Sequence, residues 1–127
     1  MCCRSGSIGI KDKNLRNLAG KPILYWLARE LKKTNLFDKI VLSTDSKKIA
    51  KLGSQLGFHI PGLRPKYLST GQSNVFDTHK FVFKKMDLND DNSIVCIVNN
   101  NPFIKSEMIK KTYKKFIQFN KKFIVHL

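Results

Sequence analysis

Apolar residues recur along the chain at helical and strand spacings, and those spacings set the expected elements. Ile23, Leu27 and Leu31 stand at four-residue steps, with Leu24 and Ala28 beside them. That is one apolar stripe of an amphipathic helix. Lys21-Pro22 opens it, since a proline in the first helical turn loses no needed N–H, and it is expected to end near Thr34-Asn35. Trp26 lies off the stripe centre and reads as a packing residue whose neighbour is missing. Ile49, Leu52 and Leu56 define a second helix over 46–57, with Gly57 as its stop. Val75, His79, Val82 and Met86 share one face of a third over 75–86, beside Phe76 and Phe83, which places His79 at the core edge. Ser106 reads as the cap of a last helix with Ile109, Tyr113, Phe116 and Ile117 apolar and Lys110, Lys111, Lys114 and Lys115 exposed.

Short apolar runs between these helices read as strands: a stump at Cys2-Cys3, then 39–43, 58–60, 94–98 and a closing strand over 121–127. The alternation of strand and helix predicts an α/β class with a mostly parallel, three-layer sheet. Such a sheet with so short a first strand is expected to leave backbone groups unpaired. Ligands of open α/β sheets bind beyond the carboxyl ends of the strands. Asp45 stands at such an end, so it reads either as a ligand neighbour or, with Ser46, as a helix cap.

The stretch from Arg4 to Asn14 is a small-residue loop with Gly6, Gly9, Arg4, Lys11 and Lys13. Consecutive backbone N–H groups in such a loop can converge on an anion. Arg4 adds a planar fork of donors and Lys13 a movable charge. The loop reads as a phosphate cradle or, more plainly, as a solvated basic turn. Residues 61–74 form a polar connection holding Arg64 and Ser69-Thr70-Gly71-Gln72-Ser73, of the kind in which binding groups concentrate.

A formal charge of +15 on 127 residues favours polyanionic ligands. A lysine- and asparagine-rich composition produces the same charge without any selected function. At this length one domain is expected, and 42% hydrophobic residues are enough for a core. Cys2, Cys3 and Cys96 have no metal-ligand spacing and read as reduced thiols of a cytoplasmic protein. Polar residues follow Met1 at once, so no secretory leader is expected, and the apolar runs are too short for a bilayer. Asp87, Asp90 and Asp91 read as a solvated turn, His59 as a strand residue, and neither is assigned a metal.

Three motifs in order then resemble one family. Gly9-Ile-Lys-Asp-Lys-Asn14 runs on through Gly20-Lys21-Pro22, Val41-Leu42-Ser43-Thr44-Asp45-Ser46 follows, and Leu63-Arg64-Pro65-Lys66-Tyr67-Leu68-Ser69 comes last. Together they resemble the acylneuraminate cytidylyltransferases, the CMP-sialic acid synthetases and their relatives. The resemblance implies a Rossmann-like, GT-A-like nucleotidyltransferase fold, incomplete at both ends, with residues 1–127 one partial nucleotide-binding domain. It implies transfer of CMP from CTP to a nonulosonic sugar acid with release of pyrophosphate. The sugar's anomeric hydroxyl attacks the α-phosphorus, with Mg²⁺ as cofactor and a homodimer as the family's assembly. Carried over by motif, Arg4, Ser7, Gly9, Lys13 and Asn14 are the nucleotide-binding candidates, with Lys13 also the catalytic candidate. Asn100 joins them from Asn99-Asn100-Asn101-Pro102, and Asp45 and Arg64 are further candidates.

The chain also departs from the family. Ile8 stands where the resemblance puts a transition-state lysine, with Lys11 the nearest substitute. Val98 stands in a glutamine place, and Gly71-Gln72-Ser73-Asn74-Val75 matches its family run weakly. The family's metal-binding aspartates belong to a C-terminal part outside these residues. These departures imply little or no catalysis by the chain alone. Two alternatives stay open: a small basic module for nucleic acid or another polyanion without catalysis, and a cytidylyltransferase for another sugar acid such as 3-deoxy-octulosonate. The first lacks aromatic residues interleaved with its basic ones. The loop spacing favours the acylneuraminate branch over the second.

Overall fold

The structure is a computed structural model that describes residues 1–6, 10, 12–88 and 94–118. Three chain segments run side by side at its centre. Strand β1 (Cys2–Cys3) pairs in parallel with β4 (Ser43–Thr44), Cys2 opposite Ser43 and Cys3 opposite Thr44. On the other side of this middle segment, Val41 bridges His59 and Thr44 bridges Leu63, both in parallel. The first strand is therefore present, though short, and the amino-terminal ammonium extends the pairing by donating to the Val41 carbonyl at 2.9 Å.

Three expected strands are shorter than expected or shifted. Pairing in the middle segment centres on Ser43–Thr44 rather than 39–43, because its partners β1 and Leu63 stand opposite its end. Residues 58–60 contribute a single bridge at His59, fixed by His59 N–H to Ile40 O at 2.8 Å and Leu42 N–H to His59 O at 3.0 Å. Over 94–98, Ile97 and Val98 are buried and Ile97 makes a single β-bridge, with no longer strand among the described residues. The closing strand expected over 121–127 lies outside the described residues.

Helix α1 (Ile23–Thr34) buries Leu27 and Leu31 of the predicted stripe and Leu24 and Ala28 beside it, while Ile23 at its start is half-buried. It starts after Pro22, not at Lys21, because Lys21–Pro22 is strand β3 of a hairpin with β2 (Asn17–Leu18). The two-residue turn Ala19-Gly20 has φ of 48° and 78°, the sign pair that matches strand twist in a tight hairpin. Trp26 has its neighbour after all: its Nε1–H donates to Leu18 O at 2.8 Å, and Arg29 lies 4.7 Å over its ring.

Helix α2 (Lys47–Gln55) is capped by Ser46, whose Oγ accepts from Ile49 N–H at 3.3 Å. Gly57, at φ 83°, follows its end as expected. Gly53 lets this helix approach the middle segment closely; an added Cβ would stand 2.4 Å from Leu42 Cδ2. Helix α3 (Val75–Lys85) buries Thr78 and His79, whereas Val75 and Phe76 at its start are exposed, so the predicted face is buried at His79 and half-buried at Val82 and Met86. Helix α4 (Ser106–Gln118) buries Ile109 and exposes Lys110, Lys111, Lys114 and Lys115. Ser106 is its first residue, not its cap. The acceptor at that end is the Glu30 carboxylate of α1.

Candidate functional site

Where β1 and β4 end, the chain turns into one cleft of about 560 Å³. That size falls within the range of small-molecule sites. Arg4 leaves β1 and reaches across the cleft, its Nη1–H donating to Thr70 O at 3.1 Å. Lys13 and Asn14 come from a single 3-10 turn, Lys13–Leu15, entered through Asp12 at φ 53°. Asn14 is buried, and its amide donates to Arg4 O at 3.3 Å. Asn100, at the far end of the chain, donates from Nδ2 to Asn14 Oδ1.

Arg64 supplies the third cation. Its backbone N–H donates to Thr44 O at 2.8 Å, which continues the parallel pairing into the loop. The residue is only 7% exposed, unlike an ordinary loop arginine. Its Nε–H donates to Ser69 Oγ at 3.1 Å, and Nη2 stands 3.9 Å from Asp45 Oδ1. Hydroxyls shape the opposite rim: Ser69 Oγ donates to Pro65 O, and Ser73 Oγ to Tyr67 O while accepting from Thr70 N–H, all near 3.0 Å.

The structure thus brings Arg4, Lys13, Asn14, Arg64 and Asn100 to one cleft. Ser7 and Gly9, with Ile8 and Lys11, lie outside the described residues. Asp45 is beside the cleft and not among its described lining residues. Of the two roles open to it, the cap belongs to Ser46. Asp45 instead takes both hydrogens of Ser5: the backbone N–H at 2.8 Å and the hydroxyl at 2.6 Å. Burial alone would raise its carboxyl, but the Ser5 hydrogen bonds and the Arg64 charge outweigh that and hold it below its ordinary value.

Thr70 and Ser73 of the polar connection also line the cleft, and so does Thr78, which was not singled out. The polar tract around Thr70 was a visible signal. Thr78 had none, since it sits one turn inside a helix whose pattern speaks only of packing. With three cations and no described lining carboxylate, the cleft suits a multiply charged anion. No group of three His, Cys, Asp or Glu side chains placed to hold a metal occurs among the described residues.

Residues 2–127 match the cytidylyltransferase family. The chain belongs to that family. Relatives of this chain include the CMP-N,N'-diacetyllegionaminic acid synthase of Legionella pneumophila, 37% identical over 110 residues, 84% of this chain and 47% of the relative. The pseudaminic acid cytidylyltransferase of Campylobacter jejuni is 27% identical over 125 residues, 95% of this chain and 53% of the relative. The N-acylneuraminate cytidylyltransferase of Streptococcus agalactiae is 32% identical over 115 residues, 89% of this chain and 27% of the relative. The chain therefore spans about half the length, or less, of these relatives. No helix among the described residues is long and apolar enough to cross a membrane.

Proposed function

We propose that this chain is the CTP-binding part of a cytoplasmic cytidylyltransferase acting on a nonulosonic sugar acid, built on a three-layer, GT-A-like nucleotidyltransferase fold. The observation that carries the reading is the convergence of Arg4, Lys13 and Arg64 with Asn14 and Asn100 on one cleft beyond the carboxyl ends of parallel strands. The guanidinium groups suit phosphate oxygens, and Lys13 adds a charge that can follow the triphosphate. The Asn14 and Asn100 amides offer both donors and acceptors to ribose, base or sugar acid. In the reaction the sugar acid's anomeric hydroxyl joins the α-phosphorus of CTP and pyrophosphate departs. The residues' part is to bind and orient the nucleotide and to offset its charge.

Calorimetric titration of the 127-residue chain with CTP in Mg²⁺ buffer, with ATP as control, tests the reading. Selective CTP binding that is lost in Arg4→Ala is the expected result, after which pyrophosphate release is assayed with N,N'-diacetyllegionaminic, pseudaminic and N-acetylneuraminic acids. A folded chain that ignores CTP, yet binds nucleic acid with steep salt dependence, would replace this reading with that of a polyanion-binding module.

A further inference from the structure

The middle segment of the sheet ends in a carboxylate that touches both of its neighbours. Cys3 pairs with Thr44 on one side, and Thr44 bridges Leu63 on the other. Asp45 is the next residue. Toward β1 it grips Ser5, with 2.8 Å to the N–H and 2.6 Å to the hydroxyl. Toward the third segment it faces Arg64 Nη2 at 3.9 Å. Ser5 directly follows Arg4. Both arginines line the cleft, whereas Asp45 is not among its described lining residues.

By charge alone, a carboxylate beside an anion-binding cleft opposes the ligand. Its hydrogen bonds to Ser5 and its ion pair with Arg64 act in the opposite direction, because they order the two chain segments that carry the cleft's guanidinium groups. We propose that Asp45 is a positioning residue: by holding Ser5 and Arg64 together it sets the spacing of the Arg4 and Arg64 side chains that receive the phosphates. This rests on the nucleotide reading of the cleft. The two effects of Asp45 on affinity have opposite signs, so they can be separated.

The test titrates CTP and inorganic tripolyphosphate into the wild-type chain, Asp45→Ala, Asp45→Asn and Ser5→Ala, with circular dichroism and thermal midpoints for each. Asp45→Ala adds one unit to the formal charge of +15, so a purely Coulombic role predicts tighter binding. Positioning predicts the reverse, a loss of about tenfold, the worth of one charge-assisted hydrogen bond. Asp45→Asn keeps an acceptor for the Ser5 N–H and lets the Ser5 hydroxyl turn to accept. It is expected to stay within about fivefold of wild type, the worth of a weak ion pair. Ser5→Ala removes only the hydroxyl of an exposed residue, so it keeps the question open to test even if Asp45→Ala fails to fold. It is expected to weaken both ligands a few-fold without moving the thermal midpoint. Unchanged or tighter binding by folded Asp45→Ala, or unchanged binding by Ser5→Ala, overturns the inference and leaves the nucleotide reading intact. A wild-type chain that binds neither ligand removes both.

Discussion

The Glu30 carboxylate of α1 accepts the backbone N–H of Ser106, 76 residues away, at 3.1 Å. It thereby caps α4 from outside, taking up one of the donors that the first turn of a helix leaves unpaired. Its other oxygen receives Arg29 at 3.0 Å and Lys33 at 3.3 Å. The acid also stands where the helix dipole is positive. This bond ties the approach to α4 to the helix that contributes Leu24, Leu27, Ala28 and Leu31 to the core, and the segment so anchored begins with Asn99 and Asn100 at the cleft.

Glu30 should make the fold sensitive to acid. Burial alone would raise its carboxyl, but the Ser106 N–H, Arg29 and Lys33 together bring it from 4.5 down to about 2. A carboxyl with a lower value folded than unfolded stabilises the fold above its unfolded value. That contribution is lost as pH falls from about 4.5 toward about 2. Urea unfolding of wild type across pH 2–6 should show the decline, and Glu30→Gln should show a shallower one, with Asp45 supplying part of what remains. At pH 7, Glu30→Ala is expected to cost about 2 kcal/mol, the sum of a lost cap and lost charge-assisted bonds. Equal slopes for wild type and Glu30→Gln would refute the assignment.

Gly53 should resist replacement for a steric reason. Alanine is ordinarily the better helix former by about 1 kcal/mol. Here its methyl would meet Leu42 Cδ2 at 2.4 Å and Ile60 Cδ1 at 3.3 Å, and Leu42 is fully buried. Overpacking of this kind costs about 1–3 kcal/mol, so Gly53→Ala is expected to be net destabilising in chemical denaturation. Adding Leu42→Val to Gly53→Ala should recover part of the loss. A stabilised Gly53→Ala would show that α2 stands farther from the sheet.

The helices were legible because each carries its own periodic stripe: Ile23, Leu27 and Leu31, with Leu24 and Ala28 beside them, announce α1 wherever it packs. The short strands were not, because pairing is decided by partners distant in sequence. Nothing around Ile40 says that β1 and Leu63 lie opposite Ser43–Thr44. Of the site, Arg4, Lys13, Asn14, Arg64 and Asn100 were found by motif, and they share the cleft. What could not be read was how each is held. Arg64 sits in a turn-rich stretch that suggests solvent, yet Ser69, Asp45 and the Thr44 carbonyl draw it inside. Glu30 looks in sequence like one charge of an Arg-Glu pair, and only the long-range approach of Ser106 reveals the cap.

Cys3 should be chemically silent in the native state. Burial pushes its thiol up to about 12, against the pull of the amino-terminal ammonium. Because the thiolate is the reactive form, iodoacetamide at pH 8 should leave Cys3 unmodified until the chain unfolds. Mass-spectrometric labelling with and without urea measures this, and the protection at Cys3 should vanish across the same transition seen by circular dichroism. Rapid native labelling of Cys3 would place it outside the core that it shares with Leu24 and Val98.

Arg64→Lys should behave as a non-conservative change despite keeping the charge. A lysine ammonium can approach Asp45 or a phosphate, but it cannot also donate sideways to Ser69 as the guanidinium does at 3.1 Å. Ser69 Oγ keeps its bond to Pro65 O at 3.0 Å, so the loop itself need not collapse. Overall charge is unchanged, so the salt dependence of CTP binding should match wild type. The affinity should fall about tenfold, as for loss of a fork-like contact. Arg64→Leu removes the charge as well, so its affinity should fall further and its salt dependence should flatten. Titrations at two ionic strengths separate the cases, and wild-type affinity in Arg64→Lys would mean that Arg64 serves the cleft only as a point charge.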